Sequence, residues 1–277
     1  MLGFSVVVLD DMVVKHYASE VAEGVISRLQ YARTLMKVPM GVFGMAAGMA
    51  AFPTLTRLFT QGRGQEAHET LVKALRFMLL LAFVAQAGLT TAATEVATVI
   101  WGETRFTGAE LAEIGLYTGI LCVGLWAWSA QLLVARGFYA QGNTWTPTLV
   151  GSVVMIVVVP FYGVLARRYG GMGLAMASSI AITTYLVALW FFLRRNVGLT
   201  PDKPGLFDAI VRLVPATAAG IVAGVGLGRG LPELPALVHG ALTGGLACCV
   251  CLGVAWVLRV HEIQLLVQKL KSRLPLG

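Results

Sequence analysis

The chain has 277 residues, of which 57% are hydrophobic and only 13% are charged, and its formal net charge is +7. Charged residues make up about a quarter of a soluble globular protein, so this composition excludes a water-soluble fold. The positive charge lies mostly between apolar segments and no aromatic–basic module accompanies it, which argues against a nucleic-acid partner.

The first predicted element, residues 4–22, is apolar but carries too much charge to face lipid. If this segment crosses the bilayer, its charged groups face a protein interior or a water-filled cavity. Asp10, Asp11, Glu20 and the nearby Glu23 are the acidic residues of this region. They are candidate ligands of a cation or candidate counter-ions of nearby basic residues, and the sequence leaves both alternatives open.

The next segment carries three cations at helical positions. Arg33 and Lys37 are four residues apart and share one face of a helix, whereas Arg28 lies about 140° away from Arg33. Cations that face a cavity suit an anionic substrate, and arginine binds a phosphate with two parallel hydrogen bonds. In the alternative interpretation, these charges lie among lipid headgroups and only orient the helix.

Seven uncharged windows follow, and each approaches or exceeds the roughly 20 residues of a membrane-spanning helix. Together with segment 4–22 they predict an all-α, polytopic membrane protein with about eight transmembrane helices. The fourth window must begin with a turn, because residues 141–147 combine Gly, Asn and Pro. The windows are 38–56, 77–94, 114–135, 137–166, 169–193, 213–228 and 234–258.

Two series of glycines recur at a spacing of three or four residues. Small residues at this spacing let transmembrane helices approach closely, so we expect helix contacts there. The series are Gly41, Gly44 and Gly48, and Gly220, Gly224 and Gly228.

Basic residues are distributed unequally between the two sides of the predicted membrane. If the segment after Pro53 is cytoplasmic and later loops alternate, eleven basic residues are cytoplasmic and four lie on the opposite side. The positive-inside rule favours this orientation. Residues 259–277 form a basic amphipathic tail, which we predict to lie on the anionic inner leaflet. Packing against a partner domain is the alternative.

No motif indicates catalysis, so the chain is predicted not to be an enzyme. His261 and Glu262 lack a second histidine at zinc spacing. Neighbouring cysteines on one helix point in different directions and cannot form a tetrahedral metal site. We therefore expect no metal and no cofactor. The four cysteines, all within apolar windows, are Cys122, Cys248, Cys249 and Cys251.

Four stretches carry a recognisable pattern. They are YAS at 17–19 with EGVIS at 23–27 and YA at 31–32; VPMGVFG at 38–44 with FPTLTR at 52–57; ARGFYAQGNTWTP at 135–147; and YGGMGLAMASS at 169–179. They resemble the MurJ/MviN lipid II flippases of the multidrug/oligosaccharidyl-lipid/polysaccharide exporter group. The third stretch is the most specific, because its arginine, aromatic pair and Thr-Pro are spaced as in that family.

This resemblance implies a fold and a function. Such flippases have fourteen transmembrane helices in two lobes and carry a lipid-linked peptidoglycan precursor, lipid II, across the bacterial inner membrane by alternating access. Residues 1–258 would form the C-terminal lobe, helices seven to fourteen with the first helix clipped. The implied partners are an undecaprenyl-pyrophosphate-linked saccharide, membrane lipids and the missing N-terminal lobe, supplied by the same or a separate chain.

Other functions stay open beside this one. The chain could belong to a related exporter of another lipid-linked oligosaccharide, or to one that moves small molecules by cation exchange. It could also be a membrane scaffold that does not transport.

The resemblance also implies substrate-binding residues. The family carries an arginine, thought to bind substrate, where this chain has Thr34, and the arginine here stands one position earlier, at Arg33. Such a shift turns a helical side chain by about 100°. Residues 155–159 are wholly apolar where family members often carry an asparagine associated with a cation, which argues against a sodium site. The predicted substrate-binding residues are Arg28, Arg33, Thr34, Lys37 and Arg136.

Overall fold

The computed structural model describes residues 6–104, 106–197, 205–232 and 234–264, and within these ranges every regular element is helical. The predicted all-α fold is confirmed. In chain order the elements are α1 (Val6–Val21), α2 (Val25–Met40), a π-helical turn (Gly41–Met45), α3 (Ala46–Thr60), α4 (Gly64–Thr91), α5 (Ala93–Trp101), α6 (Gly108–Val123), α7 (Leu125–Ala140), α8 (Trp145–Val197), α9 (Leu206–Gly230) and α10 (Ala236–Val257).

Several helices are long and apolar enough to cross a membrane. Among the described residues there are five such helices, or six if α6 and α7, which meet at a bend of 49°, count as one crossing. The longest, α8, has 53 residues and is interrupted by non-helical backbone at Gly170. Each of its arms, 145–169 and 171–197, exceeds the roughly 20 residues of one crossing. A polytopic membrane protein is confirmed, whereas the number of eight crossings stays a prediction.

A tight turn at Gly24 joins α1 to α2. Gly24 has a φ of 80°, which a residue with a side chain rarely adopts. The buried residues of α1 repeat every fourth position and therefore share one face, which packs mainly against α8. That face comprises Val6, Asp10, Val14 and Ala18, so a carboxylate lies in the middle of an otherwise apolar contact.

The α2 helix continues through the π-helical turn into α3. Gly44 and Gly48 of this continuous helix lie against α7 and confirm the predicted close packing, whereas a Cβ at Gly41 would meet no atom within 4 Å. Apolar side chains on the other side, such as those of Val38 and Val42, are exposed. One side of the helix is therefore packed and the other is open.

The two arms of α8 form a helical hairpin. Gly170 has φ 57° and ψ −134°, which reverses the chain direction. The arms touch so closely that a Cβ at Gly173 would collide with the backbone carbonyl oxygen of Leu165. The hairpin brings Tyr162 of the first arm and Ser178 of the second against the same carboxylate of α1.

The second glycine series packs α9 against α10, as its spacing predicted. A Cβ at Gly220 would lie 2.5 Å from the carbonyl oxygen of Ala247, and a Cβ at Gly224 would lie 2.8 Å from that of Thr243. Their small size permits this approach of two backbones.

The predicted tail begins where α10 ends. The chain turns at Arg259, and the next residues fold back onto the bundle, where Val260 and Ile263 are buried. Glu262 pairs with the buried Arg76 of α4, with Nε 2.5 Å from Oε1. Residues 265–277 lie outside the described residues, so the predicted membrane-surface helix stays a prediction.

Candidate functional site

A buried ion pair joins α1 to α2. Nη2 of Arg33 lies 2.5 Å from Oδ2 of Asp10, and the two side chains are 6% and 1% exposed. Burying a lone charge in a low-dielectric interior is costly, and only pairing together with further hydrogen bonds offsets that cost. This pair receives such bonds from α8.

Both arms of α8 contribute hydroxyl groups to the pair. Ser178 accepts a hydrogen bond of 2.9 Å from Nη2 of Arg33 and donates one of 2.8 Å to Oδ1 of Asp10. The Tyr162 hydroxyl donates to the same carboxylate oxygen. Both carboxylate oxygens are therefore hydrogen-bonded, and these four residues, called here the Asp10–Arg33 network, connect α1, α2 and both arms of α8.

A second carboxylate extends the network toward the surface. Asp11 is about one-third exposed and lies 3.4 Å from Nη1 of Arg33. It also pairs with Lys15 at 2.6 Å and accepts a hydrogen bond of 2.8 Å from Gln30. Arg33 thus bridges a buried and a partly exposed carboxylate. Its Nε is buried and has no acceptor among the described residues.

Arg28 lies in a separate cluster at the beginning of α6. Its guanidinium is 3.4 Å from Glu110 and 2.9 Å from Glu113, and the side chain is 15% exposed. Two carboxylates thus face this cation, and the contact ties the start of α2 to the start of α6.

The structure brings together Arg33 and the acidic pair, but not the other predicted substrate-binding residues. Thr34 is exposed and donates to the Gln30 carbonyl at 2.9 Å. Lys37 is exposed and makes no ion pair within the described ranges. Arg136 of α7 donates to the Met45 carbonyl at 3.2 Å. No hydrogen bond among described residues links these three side chains to the network, and their substrate role stays a prediction.

Of the four predicted acidic residues, two lie beside Arg33 and two do not. Asp10 and Asp11 lie beside Arg33 and Lys15, in the position of counter-ions, and a role for them in cation binding stays a prediction. Glu20 and Glu23 are exposed, and Glu20 lies 3.8 Å from His16. In the described part of the chain, no three His, Cys, Asp or Glu side chains are grouped as metal ligands.

Sequence reasoning missed three members of this region: Tyr162, Ser178 and Gln30. Tyr162 is a fully buried phenol in an uncharged window, and Ser178 stands in a run of small residues. A polar atom inside a membrane segment must find a partner, so both positions carried a signal. The sequence did not indicate which charged group that partner would be.

The fold and the network define a class of protein: an all-helical, polytopic membrane protein that holds paired charges in its interior. The family model "Lipid II flippase MurJ" matches residues 1–229, which is most of the chain. The chain therefore belongs to the lipid II flippase MurJ family, and the resemblance noted in the sequence is confirmed.

Individual relatives agree with the family. A probable lipid II flippase MurJ of Bdellovibrio bacteriovorus is 26% identical over 277 aligned residues, covering 95% of this chain and 51% of that protein. The lipid II flippase MurJ of Burkholderia cenocepacia is 26% identical over 212 residues, covering 76% of this chain and 41% of its own length. The chain spans about half the length of these curated relatives.

A solved structure shares the fold. It is "Lipid II flippase MurJ, inward closed conformation", with a TM-score of 0.69 and 19% sequence identity, and the match covers 89% of this chain and 50% of that one. The described helices therefore correspond to about half of a flippase-like helical bundle.

Proposed function

We propose that this chain is half of a transporter that moves lipid II, the undecaprenyl-pyrophosphate-linked peptidoglycan precursor, across the bacterial inner membrane by alternating access. The observation that carries the proposal is the family match over residues 1–229. Transport rather than catalysis is the activity that the family name describes.

The complementary half is the proposed partner. The matched relatives are about twice as long as the aligned part of this chain. From the motifs that resemble this family, we assign residues 1–258 to the C-terminal lobe and residues 259–277 to a cytoplasmic tail. The N-terminal lobe belongs either to the same longer protein or to a separate chain. The headgroup would travel between the two lobes while the lipid tail stays in the bilayer.

Arg33 is the residue we assign to the diphosphate. A cation lowers the cost of bringing a polyanion into a low-dielectric interior, and the buried Nε of Arg33 is a donor without an acceptor among the described residues. Asp10 and Asp11 keep the guanidinium neutralised while no anion is bound. A diphosphate that reaches α2 would compete with these carboxylates for the same cation. The exposed Lys37 adds positive charge one turn further along α2.

One observation favours a different lipid-linked saccharide as the substrate. Thr34 stands where the resemblance noted in the sequence implies a substrate-binding arginine, and it is exposed on α2. A hydroxyl at this position cannot supply the two parallel hydrogen bonds of a guanidinium. An exporter of another lipid-linked oligosaccharide, or of small molecules by cation exchange, is therefore the second candidate.

Complementation tests the proposal. The transporter that contains this chain is expressed in cells whose own lipid II flippase can be switched off. We expect it to restore growth and to move lipid II to the outer leaflet. Arg33→Ala should abolish both effects, whereas Arg167→Ala should abolish neither, because Arg167 is an exposed cation outside the network.

One outcome would count against this function, and another would count only against the role of Arg33. If growth is not restored although the wild-type protein accumulates in the membrane, lipid II is not the substrate. If growth is restored and Arg33→Ala supports it equally well, lipid II remains the substrate but Arg33 does not bind it.

A further inference from the structure

The helix formed by α2 and α3 has a weak point in its backbone hydrogen bonding. Residues 41–45 form a π-helical turn, in which the bonding pattern shifts from four to five residues. Pro39, just before this turn, has no backbone N–H to donate. Helices bend at such positions, so the angle between α2 and α3 depends on what restrains this turn.

Arg136 of α7 contacts this turn directly. Its Nη1 donates a hydrogen bond of 3.2 Å to the carbonyl oxygen of Met45, the last residue of the turn. Gly48 leaves space for the guanidinium, because a Cβ there would lie 2.8 Å from Cζ of Arg136. At Gly44, a Cβ would lie 3.2 Å from Cα of Ser129. Gly44 and Gly48 are one turn apart, and together they let α7 pack directly against the backbone of the α2–α3 helix.

The opposite side of the turn is open. Val38, Val42, Met45 and Met49 recur at spacings of three and four residues, and all four side chains are exposed. Among the described elements, α7 provides the charged contact to this turn. A cation that donates to a carbonyl makes a charge-assisted hydrogen bond, which is stronger than a neutral one.

We propose that Arg136 is a positioning residue that sets the bend between α2, which carries Arg33, and α3. It acts through the Met45 carbonyl, and this role is separate from the substrate contact predicted from the sequence. Loss of this bond would let α2 change its angle to α3 at the π-helical turn. The proposal concerns the conformation of one helix, so it can fail or hold independently of the transported lipid.

Hydrogen exchange of the full chain in lipid nanodiscs tests this proposal. With Arg136→Gln we expect amides of residues 41–49 to exchange about tenfold faster, the effect of losing one charge-assisted hydrogen bond on a local opening. Arg136→Lys, which can still donate to the carbonyl, should restore most of the protection. Arg167→Gln is the matched control and should leave the segment unchanged. Unchanged exchange in α8 in every variant shows that the fold is retained.

Two glycine variants test whether the contact of Arg136 with Met45 restrains the turn, or only the positive charge of Arg136. Gly48→Ala should displace the guanidinium from Met45 and accelerate exchange while Arg136 keeps its charge. Gly41→Ala should not accelerate it, because a Cβ at Gly41 meets nothing within 4 Å. If Arg136→Gln and Gly48→Ala both leave exchange unchanged, Arg136 does not restrain the turn and the proposal is overturned.

The bend itself can be measured with spin labels at Ile26 and Thr60, after the four native cysteines are replaced by alanine. A straight helix would place these two Cα atoms about 51 Å apart. We expect a narrow distance distribution in the parent protein and a broader one with Arg136→Gln. Identical distributions would show that Arg136 does not set the bend.

Discussion

Burying the charge of Asp10 or of Arg33 alone would be costly. In the pair, each charge offsets the burial cost of the other. Removing Arg33 alone leaves the carboxylate of Asp10, 1% exposed, without its cation. We expect Arg33→Met to lower the free energy of unfolding by about 3–5 kcal/mol, the cost of breaking a buried pair. The double variant Asp10→Asn/Arg33→Met should recover most of this loss, because an asparagine oxygen still accepts from Tyr162 and Ser178. Unfolding in mixed detergent micelles measures each value.

Lys15 provides the control for this cycle. It pairs with Asp11, but its side chain is 51% exposed, so Lys15→Met should change stability by no more than about 1 kcal/mol. A double variant as unstable as Arg33→Met alone would contradict the idea that the unpaired carboxylate causes the loss.

At the level of single residues, the sequence predicted the charges of the network better than its neutral members. A guanidinium and a carboxylate in apolar segments are unusual, so Arg33 and Asp10 stood out, and the counter-ion alternative for Asp10 agrees with their 2.5 Å contact. Tyr162 and Ser178 are ordinary residues in membrane helices. Their partners depend on how α8 folds back, which is a tertiary contact that no local pattern encodes.

Among the helices, the hairpin of α8 depends on glycine at the contact between its arms. A methyl group at Gly173 would collide with the backbone oxygen of Leu165, which cannot rotate away. We expect Gly173→Ala to cost about 1–3 kcal/mol of stability, as is typical of overpacking. It should also weaken the Asp10–Arg33 network, since Ser178 follows about one and a half turns later in the same arm. Thermal unfolding in detergent checks the stability.

Gly253 of α10 is the matched control for that variant, because a Cβ there meets nothing within 4 Å. Gly253→Ala should be neutral or stabilising by up to about 1 kcal/mol, since alanine favours helix more than glycine does. Equal effects of the two substitutions would mean that the contact between the arms of α8 does not limit stability.

Helix boundaries were harder to predict than the existence of helices. Charged residues delimited the predicted window 114–135, but the helices continue past its ends, from Gly108 through the bend at Gly124 to Ala140. Glu110 and Glu113 lie in the first turns of α6, where Arg28 pairs with both of them. A charged residue therefore marks the end of the lipid-facing part of a segment and not the end of the helix. The residue that pairs with this charge lies elsewhere in the chain.

Contacts between distant loops show which ends of the helices lie together. Arg28 at the start of α2 pairs with Glu110 at the start of α6. At the α8 turn, a Cβ added to Gly170 would lie 3.4 Å from Val21 at the end of α1. These contacts place the starts of α2 and α6 and the turn of α8 at one end of the bundle. Because α2 and α3 form one continuous helix that starts at this end, the loop between α3 and α4 lies at the other end.

Membrane orientation is the property of the whole molecule that this arrangement makes testable. The loop charges favour a cytoplasmic position for the segment after Pro53, with eleven basic residues against four. In a chain without cysteines, a single cysteine at Glu103, between α5 and α6, should react with a membrane-impermeant maleimide in intact spheroplasts. A cysteine at Gln61, between α3 and α4, should react only after lysis, because the bilayer separates it from the reagent. The reverse labelling pattern would invert the proposed orientation and turn the residue 259–277 tail away from the anionic inner leaflet that its basic residues favour.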